Sequence, residues 1–169
     1  MRSDSIVNPL YMKPISQVFL IFALFSINTA YSQNDIIRQQ SFIDTNISHV
    51  ADNIKGDYIK HGFVVVKEAS MAMESEYEMP VIFPLTQGAF YQCVFIGDLS
   101  STLYEVRMYD WSEREVVYQK KQWGDVDGNV ISYSYIPQFS EYHLMKPLQV
   151  NKKKKKLGGY VILFKRLTK

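Results

Sequence analysis

Asp125-Val126-Asp127-Gly128-Asn129 sets oxygen-bearing side chains at alternate positions around a glycine. Such spacing suits a hard cation, which wants several carboxylate, amide and carbonyl oxygens around a tight turn. Calcium is the one cofactor it could hold, through Asp125, Asp127 and Asn129; otherwise no cofactor is expected. A complete calcium loop needs a further acidic ligand several residues on, and Val130 to Ile136 supplies none. The simpler reading is a hairpin turn in which Asp127-Gly128 or Gly128-Asn129 takes positive φ.

Two other groups could carry recognition. Lys152, Lys153, Lys154, Lys155 and Lys156 are consecutive. Their mutual repulsion predicts an open, solvated loop, and their charge suits an anionic partner such as a lipid headgroup, a polyanionic sugar or an acidic protein face. Trp111 and Trp123 flank one segment, with Tyr109, Tyr118, Tyr133 and Tyr135 close in sequence. Exposed on a sheet face, such rings stack on sugars; turned inward, they are cross-strand packing. Alternation places Tyr109 outward: if Tyr104, Val106 and Met108 point into a core, Glu105, Arg107 and Tyr109 face the other way.

Catalysis has no comparable signal. His49, His61 and His143 lack metal-ligand spacing. G-x-S-x-G, H-E-x-x-H and phosphate-cradling glycine loops are missing from the sequence. A non-enzyme is therefore expected. No basic groove or clustered arginine suggests nucleic acid. Cys93 is the single cysteine, so no internal disulfide forms. Between apolar neighbours it reads as a small buried hydrophobe.

These residues must be positioned by strands. Of 169 residues, 14% are aromatic and 21% charged, which favours pleated, half-buried surfaces in an ordered domain. One helix is predicted over Asp35 to Ile54 (33–56 with its flanks). Ile36, Ile43, Ile47, Val50 and Ile54 share a face, and Gly56 is a candidate for closing its end. Beyond it, 57–169 reads as one sandwich domain. Strands are expected at Phe63–Val66, at Val81–Leu85 (an edge, because of Pro80 and Pro84), and twice within Gly88–Asp110 around Gly97-Asp98. More follow at Glu115–Trp123, Val130–Ile136, Tyr142–Val150 and Tyr160–Leu167. Met71–Met79, rich in glutamate, reads as a connection. Reversals at Trp111 and Gly128 predict hairpins. Tyr160-Val161-Ile162-Leu163-Phe164 is apolar on both faces, so it should be central, with the helix covering its outer side. The fold class is thus mainly β: an antiparallel, jelly-roll-like β-sandwich of about eight strands with one N-terminal amphipathic helix packed on it.

Residues 1–32 read as a secretory signal peptide. Arg2 and Lys13 precede the apolar run Val18–Phe25, and Ala30-Tyr31-Ser32 suits cleavage before Gln33. The run is short of the roughly 20 apolar residues that span a bilayer. No transmembrane segment is expected in the mature chain, which should be soluble in the periplasm or outside the cell.

The runs YQCVFIGDLSSTLYEVRMYD, VISYSYIPQFSEYHLMKPLQV and GGYVILFKR together resemble the bacterial pre-peptidase C-terminal domain and related jelly-roll modules of secreted proteins. Gly97-Asp98, Tyr109-Asp110 and Ser140-Glu141-Tyr142 stand at its punctuation points, with Glu141 where the family usually has glycine. The likeness spans about residues 88–166 and implies a non-catalytic module; Gln33 directly after Ser32 looks like secreted proteins of the Bacteroidota. The expected function is protein interaction or envelope structure, with an envelope or secreted protein as partner. The alternative is carbohydrate binding through exposed aromatics, and an unrecognised secreted hydrolase comes third.

Overall fold

The computed structural model describes residues 37–40, 44–122, 128–154 and 156–167. Nine strands and one helix follow in the order β1 (Ile37–Gln40), α1 (Thr45–Lys60), β2 (Phe63–Glu74), β3 (Val81–Leu85), β4 (Tyr91–Gly97), β5 (Leu103–Tyr109), β6 (Glu115–Gln122), β7 (Val130–Tyr135), β8 (Glu141–Val150) and β9 (Lys156–Arg166). They form a five-stranded sheet, β1-β2-β9-β4-β7, and a four-stranded sheet, β3-β8-β5-β6. Every pairing is antiparallel except β1 with β2. From β2 to β9 the chain changes sheet at each connection save the β5–β6 hairpin. That alternation is the double Greek key of a jelly roll.

Alternating side chains fill the space between the sheets. Phe83, Phe95, Val106, Met108, Met145, Leu157 and Leu163 are fully or almost fully buried there. A second apolar layer lies on the outer face of the larger sheet, where Ile47 and Ala51 of α1 cover Val94, Ile96, Ile162 and Phe164. Two covered faces explain why β4 and β9 read as continuous apolar runs. β9 is central, between β2 and β4, and β3 is an edge strand, as expected.

Three expectations change. The helix starts at Thr45, not near Asp35, because Asp44 caps it: its Oδ1 accepts the amides of Asn46 (2.9 Å) and Ile47 (3.2 Å). Residues 37–40 instead pair with Lys67–Ser70 of β2. The helix also runs past Gly56 to Lys60. Tyr58 carries its apolar stripe onward and packs 4.7 Å from the Phe164 ring, centroid to centroid, which offsets the ~1 kcal/mol that an internal glycine costs. Second, β2 absorbs the first part of the expected Met71–Met79 connection. Met71 and Met73 are buried while Ala72 and Glu74 face out, a period of two hidden beneath the glutamates. Third, the reversal at Gly128 is not a hairpin: β6 and β7 belong to different sheets, although Gly128 does take positive φ (66°).

Cys93 is completely buried, and burial pushes its thiol up to about 12. The folded protein should therefore not react with a thiol reagent at neutral pH, and should react once denatured. Rapid labelling of the native chain would contradict this placement.

Candidate functional site

The two sheets differ on their outer faces. The larger is roofed by α1, whereas no described element covers the smaller. Strand register sets out the bare face in rows. Ile82, Leu144 and Tyr109 lie across β3, β8 and β5; Lys146, Arg107 and Tyr118 across β8, β5 and β6; Leu148, Glu105 and Lys120 across the same three. As the alternation required, Tyr104, Val106 and Met108 point inward and Tyr109 points out.

Charges on this face hold one another. Arg107 lies 3.5 Å from Glu105 and 3.8 Å from Glu78; Lys146 reaches Glu78 at 3.4 Å, and Lys120 reaches Glu105 at 3.4 Å. Two tyrosines are drawn in. The Lys146 ammonium sits 5.0 Å from the Tyr109 ring centre, and the Arg107 guanidinium 5.5 Å from that of Tyr118. Tyr109, a sequence candidate, is thus half-buried beneath a cation. Trp111, the other aromatic sequence candidate among the described residues, is 71% exposed at the β5–β6 turn. Beside it stands Tyr142, 55% exposed, with centroids 6.2 Å apart and planes at 50°. Tyr142 was not among the sequence candidates. The buried His143 and Met145 would have marked it as outward-facing, but its proximity to Trp111 required the register.

The turn that carries Trp111 is built by Asp110. Its Oδ1 accepts the amides of Ser112 (2.9 Å) and Arg114 (3.0 Å), and its Oδ2 accepts Arg114 Nε (2.8 Å) and pairs with Nη2 (2.7 Å). Burial alone would raise this carboxyl, but the Arg114 and Ser112 groups hold it below the usual range. Behind the turn is a concavity of about 330 Å³, lined by Asp110, Arg114, Glu115, Val116, Tyr135, Ile136, Gln138, Phe139 and Glu141. Next to it the buried His143 shares a 3.0 Å hydrogen bond between Nε2 and the Tyr135 hydroxyl.

The lysine segment is less free than repulsion implied. Lys152, Lys153, Lys154 and Lys156 are exposed. The Asn151 side chain accepts the amides of Lys153 and Lys154, and Lys154 Nζ pairs with the buried Asp98 at 2.5 Å. Burial would raise the Asp98 carboxyl, but Lys154 and Ser100 hold it below its ordinary value. Its unfolded-state value is about 3.9. The stability it confers is therefore complete above that pH and is lost as pH falls through the lower folded value. Asp98→Asn should flatten the acid limb of a stability–pH profile; an unchanged limb would contradict the pair.

Trp123, Asp125, Asp127 and Lys155 lie outside the described residues. Asn129, the remaining calcium candidate, donates its side-chain amide to Gly97 O (2.6 Å), and its backbone carbonyl accepts the Gly97 amide (2.9 Å). It clamps the end of β4. Among the described residues no group of three His, Cys, Asp or Glu could hold a metal, and no helix is long and apolar enough to cross a membrane.

No protein-family model and no curated protein matches this chain. Solved structures do. The chain is similar to a pilus protein of Bacillus endospore appendages at 9% identity, over 63% of this chain and 89% of that one, with a TM-score of 0.39. It is similar to TmCBM61, solved with β-1,4-galactotriose, at 10% identity over 57% and 70%, with a TM-score of 0.36. It is also similar to the CBM22-1–GH10 modules of Clostridium thermocellum xylanase Xyn10B, solved with xylohexaose, at 14% identity over 63% and 26%, with a TM-score of 0.35. At such identities and TM-scores these likenesses carry nothing about what this chain does.

Proposed function

We propose that this chain is an exported, non-catalytic binding module that holds a glycan on the bare face of its four-stranded sheet. One observation carries the reading: Trp111 and Tyr142, both exposed, stand side by side at the end of that face. Exposed rings supported by a rigid hairpin offer apolar area at little entropic cost. The neighbouring network of Glu78, Glu105, Arg107, Lys120 and Lys146 supplies donors and acceptors for hydroxyls. Export rests on the leader-like residues 1–32. The resemblance of residues 88–166 to pre-peptidase C-terminal modules agrees with the jelly-roll connectivity. A protein partner in the envelope is the second reading, favoured by Ile82, which is 54% exposed beside Leu144; Lys152 and Lys153 would then offer a separate contact for an acidic surface.

A glycan array probed with the wild-type chain and with Trp111→Ala tests the first reading. Binding by the wild type alone supports it. Binding by neither, alongside recovery of a specific envelope protein that Ile82→Asp no longer captures, would replace it with the second.

A further inference from the structure

We infer that the concavity behind the Trp111 turn is a subsite for the terminal residue of a neutral glycan, so that the module recognises chain ends. The inference rests on the glycan reading above and adds to it where the chain stops and what charge it carries. Asp110 and Glu141 line the concavity, while their sequence neighbours Trp111 and Tyr142 form the exposed ring pair. Glu141 and Tyr142 face opposite ways as successive residues of β8, and in the β5–β6 turn Asp110 is buried where Trp111 is exposed. Platform and concavity therefore lie on the two sides of one rim, a single residue thick. A chain lying on the rings reaches the concavity by turning over that rim, and a space the size of one ring takes its last residue.

The size and lining fit one sugar ring. About 330 Å³ lies at the small end of ligand pockets. Phe139, 55% exposed, offers an apolar wall. Arg114 presents an exposed guanidinium, a group that only donates, anchored to Asp110 through Nε and Nη2. Gln138 both donates and accepts, and the Glu141 carboxylate accepts. Planar groups of this kind bridge vicinal hydroxyls, which themselves both donate and accept. The charge balance selects among sugars. Asp110 cancels Arg114, while Glu115 and Glu141 add negative charge that a uronate or sulfate would have to meet unpaired.

The test compares a neutral polysaccharide that binds on the array with its own enzymatic hydrolysate, and with the hydrolysate oxidised to terminal uronates. End recognition predicts that binding per unit mass rises as cleavage multiplies the ends, and that oxidation abolishes the gain. Phe139→Ala, at a position 55% exposed, should leave folding intact and weaken the hydrolysate about tenfold, the scale of one aromatic contact. If Trp111→Ala removes binding but hydrolysis, oxidation and Phe139→Ala all leave it unchanged, the subsite is overturned and the platform stands. If no glycan binds at all, both fall.

Discussion

Replacing Trp111 with alanine is expected to weaken glycan binding at least ~30-fold, as loss of a central aromatic anchor does, while the melting temperature moves by no more than about 2 °C. The separation of the two effects follows from placement. The Trp111 ring is 71% exposed and contributes little to the core. Its turn is held by Asp110 through backbone amides and Arg114, none of which the substitution touches. Tyr142→Ala should act in the same direction. Tyr109→Ala should cost only a few-fold, because the Lys146 ammonium already occupies a face of that ring. Equal losses at Tyr109 and Trp111 would mean that the ligand displaces Lys146 and spreads along the whole sheet. A large fall in melting temperature with Trp111→Ala would mean that the ring is structural.

Gln149→Leu is expected to destabilise the fold by about 3–5 kcal/mol, because it strands several buried polar groups at once. Gln149 is fully buried. Its Oε1 accepts the Asp98 amide (2.8 Å) and the Ser101 hydroxyl (3.0 Å), and its Nε2 donates to Gly158 O (2.8 Å). One side chain thereby ties the β4–β5 connection to β9, across the two sheets. Tyr104 completes the knot by donating to the carbonyls of Asp98 (2.8 Å) and Ser101 (3.1 Å). Gly97 makes room for that ring, since a Cβ there would lie 2.6 Å from two Tyr104 carbons. Gly97→Ala should therefore cost a further ~1–3 kcal/mol by forcing a fastened ring to move. Chemical denaturation measures both. A loss below about 1 kcal/mol for Gln149→Leu would show that water replaces the amide.

What was legible in the sequence was whatever a period can express. The alternation of β5 placed Tyr104, Val106 and Met108 inside, and the two-faced apolar run of β9 required a central strand under a helix; both hold. The start of the helix was misread because Ile36 and Ile43 happen to fit a 3.6-residue period, whereas residues 37–40 gain a strand partner that only tertiary structure provides. Glu74, Glu76 and Glu78 hid the inward alternation of Met71 and Met73. A turn at Gly128 was readable, but turn residues record a reversal, not the sheet that the next strand joins. The same limit explains the site. Trp111 was visible as an aromatic at a turn, while Tyr142 lies 31 positions further on and meets it only through the register of β5 with β8. The role of Gln149 left no local signal, because Asp98 and Ser101 lie 51 and 48 positions away and Gly158 sits on the next strand, in the other sheet.

The central claim is that a sugar sits on the Trp111–Tyr142 platform. Fluorescence titration of a Trp123→Phe variant, which leaves Trp111 as the sole tryptophan, tests it most directly. Neutral oligosaccharides at millimolar concentration should shift the emission saturably, and Tyr142→Ala should remove the shift. An emission spectrum that no neutral glycan alters, from a variant that remains folded, would contradict it.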